Sequence, residues 1–198
     1  MKFIEKLIIN PLNFILGRRI FYFLNIYVIK LFLRFIGYNS YGNLEKTGEK
    51  KFIDSIVNQN EAGLIIDIGA NNGEYSEYIL KNSNYNVIAF EPLSKSFHIL
   101  KKLKQRFSKR FTAFNYALSN KKGKTSIYYD NKNTIWANLD KEVNKIKYLK
   151  NNNKKKICKI DTLDNFFKKN KKFFLKKVKL IKIDVEGHEY EVIEGSGN

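Results

Sequence analysis

The chain has 198 residues and a formal net charge of +18, with hydrophobic residues at 43% and aromatic residues at 15%. That apolar content can build a core, which excludes a chain disordered throughout, and the length allows one domain plus an appendage. The charge is uneven: residues 141–179 carry +12, with all their positive charge on fifteen lysines, while residues 180–198 carry −4.

A basic block can serve nucleic acid, anionic lipid or an anionic substrate. This one contains no arginine, the side chain best shaped to grip a phosphate with two N–H groups, and it reads as a solvated Lys-rich face or loop. The single cysteine, Cys158, excludes a disulfide within the chain and fits a reducing, cytoplasmic compartment. Between Ile157 and Lys159 it reads as a half-buried strand residue.

Residues 1–42 form a hydrophobic and basic helical extension. Pro11 divides it, and the stretch Ile20–Tyr38 is dense in Phe, Tyr, Ile and Leu. At 100° per residue, Arg19, Phe23, Tyr27, Lys30 and Arg34 fall on one side. The charges argue against a membrane span, and no small-residue cleavage site marks a signal peptide. Two readings stay open: an interfacial helix at an anionic membrane surface, on the inner face of the membrane, or a helix packed on protein.

From residue 43 to 198 the pattern becomes that of one domain. Apolar residues at 52, 53, 56 and 57 predict a helix near Gly48–Val57. Leu64–Ile68 reads as a buried strand, Glu74–Lys81 as a helix, Asn86–Phe90 as a strand and Ser94–Phe107 as a helix. Phe111–Tyr116 reads as a third strand and Thr125–Tyr129 as an antiparallel addition. Ile160–Phe167 reads as a short strand or turn entering a helix. Val178–Asp184 is a fourth major strand, and Tyr190–Ile193 begins another helix. Alternating strands and helices predict an α/β fold with a mostly parallel sheet, whose strand ends share one rim.

Distinctive residues gather on that rim. The first strand runs into Asp67-Ile68-Gly69-Ala70-Asn71-Asn72-Gly73. A dinucleotide loop wants a second glycine where Asn71 stands, and the carboxylate of Asp67 would repel a pyrophosphate. An ammonium group, such as that of a methionine moiety, suits Asp67 instead. Glu91 ends the second strand twenty-two residues after Gly69, where a carboxylate reaches both hydroxyls of a ribose.

These segments, with Ala89-Phe90-Glu91-Pro92, Ala117-Leu118-Ser119 and Ile181-Lys182-Ile183-Asp184-Val185-Glu186-Gly187-His188-Glu189, follow one another as in FkbM-type methyltransferases, which the chain resembles from about Gly48 onward. The resemblance implies a Rossmann-like class I methyltransferase fold, S-adenosylmethionine as donor, and O-methylation of a hydroxyl. It implies that Asp67, Gly69, Ala70, Asn71 and Gly73 line the methionine and ribose and that Glu91 holds the ribose. The segment Tyr116–Leu118, with Ala117 at its centre, would touch the adenine.

A hydroxyl acceptor needs a base or a metal to take its proton. Asp184 ends the fourth strand on the rim, and Glu186, His188 and Glu189 follow closely. Their oxygens suit Mg²⁺ or Mn²⁺, and His188 suits general-base work at neutral pH. The other reading makes the glutamates first-turn acids that favour a helix N-terminus. Asp184, Glu186 and His188 are the catalytic candidates. The expected acceptor is a glycan or another hydroxylated natural product. A nucleic-acid methyltransferase using residues 141–179, or a non-catalytic membrane-associated module, are the alternatives. The Lys block holds few aromatics for stacking on bases, which argues against nucleic acid. With four major strands before Asn198, the sequence also predicts a domain short of the seven strands implied by the resemblance, and an exposed sheet edge at the fourth strand.

Overall fold

A computed structural model describes residues 10–35, 48–57, 61–130, 137–139, 154–174 and 176–197. Two compact units divide the chain, Met1–Ile56 and Val57–Asn198.

In the first unit, helix α1 spans Asn10–Leu16, a 3-10 turn spans Arg19–Phe21, and helix α2 spans Tyr22–Phe35. Gly17 allows the turn between them, and the Asn25 side-chain amide donates to the Leu16 carbonyl at 2.7 Å, tying the start of α2 to the end of α1. Helix α3, Gly48–Ile56, falls in the same unit.

The second unit is an α/β domain. Its elements are β1 Leu64–Ile68, α4 Glu74–Asn82, β2 Asn86–Phe90, α5 Ser94–Arg106, β3 Phe111–Phe114, β4 Ala117–Leu118, β5 Gly123–Tyr129, β6 Lys154–Asp161, α6 Leu163–Lys169, α7 Lys171–Phe174, β7 Val178–Ile183 and α8 Glu189–Glu194. The main sheet has the order β3-β2-β1-β7, all parallel. Parallel strands need helical crossovers, which cover both faces, so the central strands β1 and β2 are mostly apolar, with Asp67 the buried exception. Every residue of β1 is buried.

Alternation along the strands sends the two faces to different helices. Leu64, Ile66, Ile68, Ile88 and Phe90 pack with Leu163, Phe166, Phe173 and Val192 of α6, α7 and α8. Phe90 and Phe166 meet edge to face at 5.1 Å, at the centre of this layer. Asp67 points the other way, to Ser76 of α4. Strand β7 is an edge of the sheet, with Val178 and Ile181 exposed.

A second sheet has the order β4-β6-β5, with β5 and β6 antiparallel. Two expectations change here. Phe111–Tyr116 is not one strand: β3 stops at Phe114, because Asn115 turns its amide to the carbonyls of Glu91 (2.8 Å) and Pro92 (3.1 Å). Ala117 and Leu118 then join the other sheet through Ile160 and Asp161. The strand expected to start at Ile160 begins earlier, and the Lys-rich segment there is a solvated face. Residues 154–161 form β6, with Lys154, Lys155, Lys156 and Lys159 exposed and Cys158 and Ile160 buried against Leu93, Ala117 and Ile127. Thr162 caps α6, its hydroxyl accepting from the Asn165 N–H at 3.0 Å.

Candidate active site

The loops after β1, β2 and β7, together with β4, surround a narrow cleft. Gly69, Asn71, Glu91, Ala117, Asp184 and Glu186 line it, and Phe90, Leu118, Ile127 and Leu139 give it apolar walls. Of the expected donor-site residues, Asp67, Ala70 and Gly73 lie outside the lining, and so does His188.

The first loop is built on left-handed backbone. Gly69, Asn71 and Gly73 have φ of 79°, 45° and 81°. At Gly69 the glycine is required twice over, because a Cβ there would also collide with the Asp184 carbonyl oxygen. The loops after β1 and β7 therefore touch backbone to backbone. At Gly73 a Cβ would sit 2.6 Å from a Leu100 methyl, so this glycine lets α5 pack closely. The N–H groups of Gly69 and Ala70 both donate to the Phe90 carbonyl, at 3.0 and 3.1 Å, fixing the first loop to the end of β2.

Glu91 is buried beneath the cleft. Its Oε2 accepts the Asn71 N–H at 2.9 Å and its Oε1 accepts the Leu93 N–H at 2.7 Å. Each oxygen keeps a lone pair beyond these bonds. Burial pushes its pKa up to about 7, outweighing the two N–H groups that favour the anion. Asn71 is held in turn by the Ser96 hydroxyl, at 2.9 Å from its Oδ1.

Asp67 is 0% exposed. Its Oδ2 accepts from Ser76 at 2.7 Å, and Lys182 Nζ lies 3.4 Å from its Oδ1. The sequence expectation paired Asp67 with a ligand ammonium; here the ammonium beside it belongs to Lys182. The same nitrogen sits 3.2 Å from Asp184 Oδ2 and 3.4 Å from the Gly69 carbonyl. Burial opposes the charge on Lys182, but Asp67 and Asp184 outweigh it and hold its pKa above the ordinary value. Sequence reasoning gave Lys182 no role. The available signal was its position: a lysine inside an otherwise largely apolar strand, two residues before Asp184 and therefore on the same face.

The loop after β7 separates the acidic candidates. Glu186 has a φ of 53° and Gly187 of 94°, which turns the chain sharply. Glu186 lines the cleft, and burial, with Asp184 and Glu189 beside it, raises its pKa. Glu189 folds back, its Oε1 accepting the N–H groups of Val185 (3.3 Å) and Gly187 (3.2 Å). His188 turns away to Ser119, with Oγ 3.0 Å from Nε2, and to Glu191, 3.4 Å from Nδ1.

The geometry gives no support to the Mg²⁺ or Mn²⁺ that the acidic residue types allowed. Among the described residues no group of three or more His, Cys, Asp or Glu side chains is arranged to hold a metal ion. Asp184 faces Lys182, Glu189 binds backbone and His188 binds Ser119, so the donors do not converge. The residues around the cleft do fit a nucleoside. A buried carboxylate with spare lone pairs opens beside an apolar slot walled by Phe90, Ala117 and Leu118.

A parallel sheet flanked by helices, with its cleft on the rim after β1, β2 and β7, is the Rossmann-like arrangement of methyltransferases. The profile described as the methyltransferase FkbM domain matches residues 67–198, and the chain belongs to that family. A solved structure of a candidate rRNA-methylase from Clostridium thermocellum aligns with 39% of this chain and 42% of its own, at 17% identity and a TM-score of 0.31. The chain thus spans less than half the length of that protein. No curated protein matches the sequence.

Proposed function

We propose that the domain binds S-adenosylmethionine in the rim cleft and methylates a hydroxyl of a glycan or another hydroxylated natural product. The observation that carries this reading is Glu91, a buried carboxylate at the end of β2 that opens into the cleft beside an apolar slot. Its free lone pairs suit the two ribose hydroxyls, and Phe90, Ala117, Leu118 and Leu139 suit the adenine. When bound, the donor supplies an electrophilic methyl group.

The chain's own residues do the rest. The apolar walls exclude water from the donor. Glu186 stands at the cleft with a raised pKa, which suits a carboxylate that takes a proton from an acceptor hydroxyl. Asp184, paired with Lys182, is better suited to orienting that acceptor. His188 is engaged away from the cleft, so its assigned role is structural.

Calorimetric titration of S-adenosylhomocysteine, with Glu91→Ala as the control, tests the reading. Micromolar binding that the control loses supports it. No binding to a folded protein overturns it.

A further inference from the structure

Helices α1 and α2 present apolar side chains to solvent in a way that no globular surface helix requires. Phe14 is 73% exposed, Ile20 82% and Phe23 83%. Tyr22, Ile29 and Phe32 are exposed as well. Going around α2, Leu31, Leu24, Val28, Phe32, Ile29 and Tyr22 cover about half of the circumference. A helix that is apolar over so wide an arc is stable only when something covers it.

Charge indicates the kind of cover. Residues 10–35 include Arg18, Arg19, Lys30 and Arg34, and not one carboxylate. Arg18 and Arg19 sit together at the turn between the helices, and the Arg18 guanidinium lies 5.2 Å from the Phe14 ring centre. A second protein surface would ordinarily answer four cations with acids of its own. This chain's acidic segment, 180–198, is largely taken up internally, with Asp184 on Lys182, Glu189 on backbone, Glu191 beside His188 and Glu194 on Asn120.

Length decides between lying on a bilayer and crossing it. Helix α2 has 14 residues, about 21 Å at 1.5 Å per residue, short of the roughly 30 Å of a hydrocarbon core. No helix among the described residues is long and apolar enough to cross a membrane. We propose that α1 and α2 form an interfacial anchor that lies on a bilayer of anionic phospholipid, apolar residues inserted and Arg18, Arg19 and Lys30 at the phosphates. This proposal does not rest on the methyltransferase reading.

Vesicle sedimentation of the full chain tests it, with phosphatidylcholine vesicles compared against vesicles containing phosphatidylglycerol. The anionic vesicles should bind at least about tenfold more tightly, with an advantage that shrinks as salt rises. Arg18→Glu with Arg19→Glu should remove that advantage, and Ile29→Asp with Phe32→Asp should abolish binding to both vesicles. All four side chains are exposed, and circular dichroism will establish that the variants fold. Three results would overturn the proposal: no binding to either vesicle, equal binding to both, or a concentration-dependent dimer in light scattering that the Ile29→Asp, Phe32→Asp variant loses. The last would assign the face to a second copy of the chain.

Discussion

Lys182 Nζ stands 3.4 Å from Asp67 Oδ1, and the two residues are direct neighbours across the parallel pair β1–β7. Asp67 is wholly buried, so its charge is tolerated only because Lys182 and Ser76 answer it. Removing one partner of a buried pair leaves the other uncompensated, at a cost of about 3–5 kcal/mol. Lys182→Met should therefore lower unfolding free energy by that amount in urea titrations. Adding Asp67→Asn to Lys182→Met should restore part of the loss, and a double variant no more stable than the single one would refute the pairing. The raised pKa of Lys182 places the contribution fully below the ordinary lysine pKa, and it is lost as pH rises through the higher folded value.

Glu91 makes a pH prediction of the opposite kind. Its folded pKa of about 7 lies above that of an unfolded glutamate. The folded state thus holds a proton that the unfolded state releases, and stability falls as pH rises from about 4.5 to 7, by on the order of 3 kcal/mol. A bound ribose favours the anion, so S-adenosylhomocysteine affinity should climb over the same range and level off near pH 8. Glu91→Gln should flatten both profiles. A stability profile unchanged by that substitution would count against the buried, protonated glutamate.

His188 separates a structural role from a catalytic one. It links Ser119, after β4, to Glu191 in α8. His188→Ala should cost about 1 kcal/mol through the lost hydrogen bond to Ser119, whose hydroxyl keeps Asn120 Oδ1 as a partner. Because the ring does not line the cleft, S-adenosylhomocysteine affinity should stay within about twofold, a change worth less than 0.5 kcal/mol. A large loss of affinity at unchanged stability would return His188 to the site.

On the outer face of the small sheet, Lys124 and Lys159 are direct partners across β5 and β6. Like charges placed opposite each other repel, by roughly 0.2–1 kcal/mol. Lys159→Glu should raise the unfolding temperature by a few degrees in scanning calorimetry, most clearly at low salt.

The main sheet was legible because its strands are short apolar runs ending at Gly69, Glu91 and Asp184. Period and turn chemistry agree there. β6 was obscured because only Cys158 and Ile160 carry its inward face, and four lysines mask the alternation. The break after Phe114 depends on Asn115 reaching the carbonyls of Glu91 and Pro92, a contact over twenty residues back in the chain that no local pattern announces. In the site, residue types were visible but directions were not. The left-handed turn at Glu186 and Gly187 sends Glu186 to the cleft and His188 away from it, and a run of four consecutive residues gives no warning of that division.

The backbone contact of Gly69 with Asp184 has a consequence for redesign under the proposed function. The segment proposed to cradle the donor and the segment proposed to meet the acceptor share one seam, where backbone meets backbone and leaves little room to absorb a change. A substitution that shifts the β7 loop to admit a new acceptor will move the donor loop with it. Acceptor range and donor affinity will therefore be traded against each other, and libraries that vary residues 184–188 alone should yield fewer active variants than libraries that vary 69–72 in the same clones.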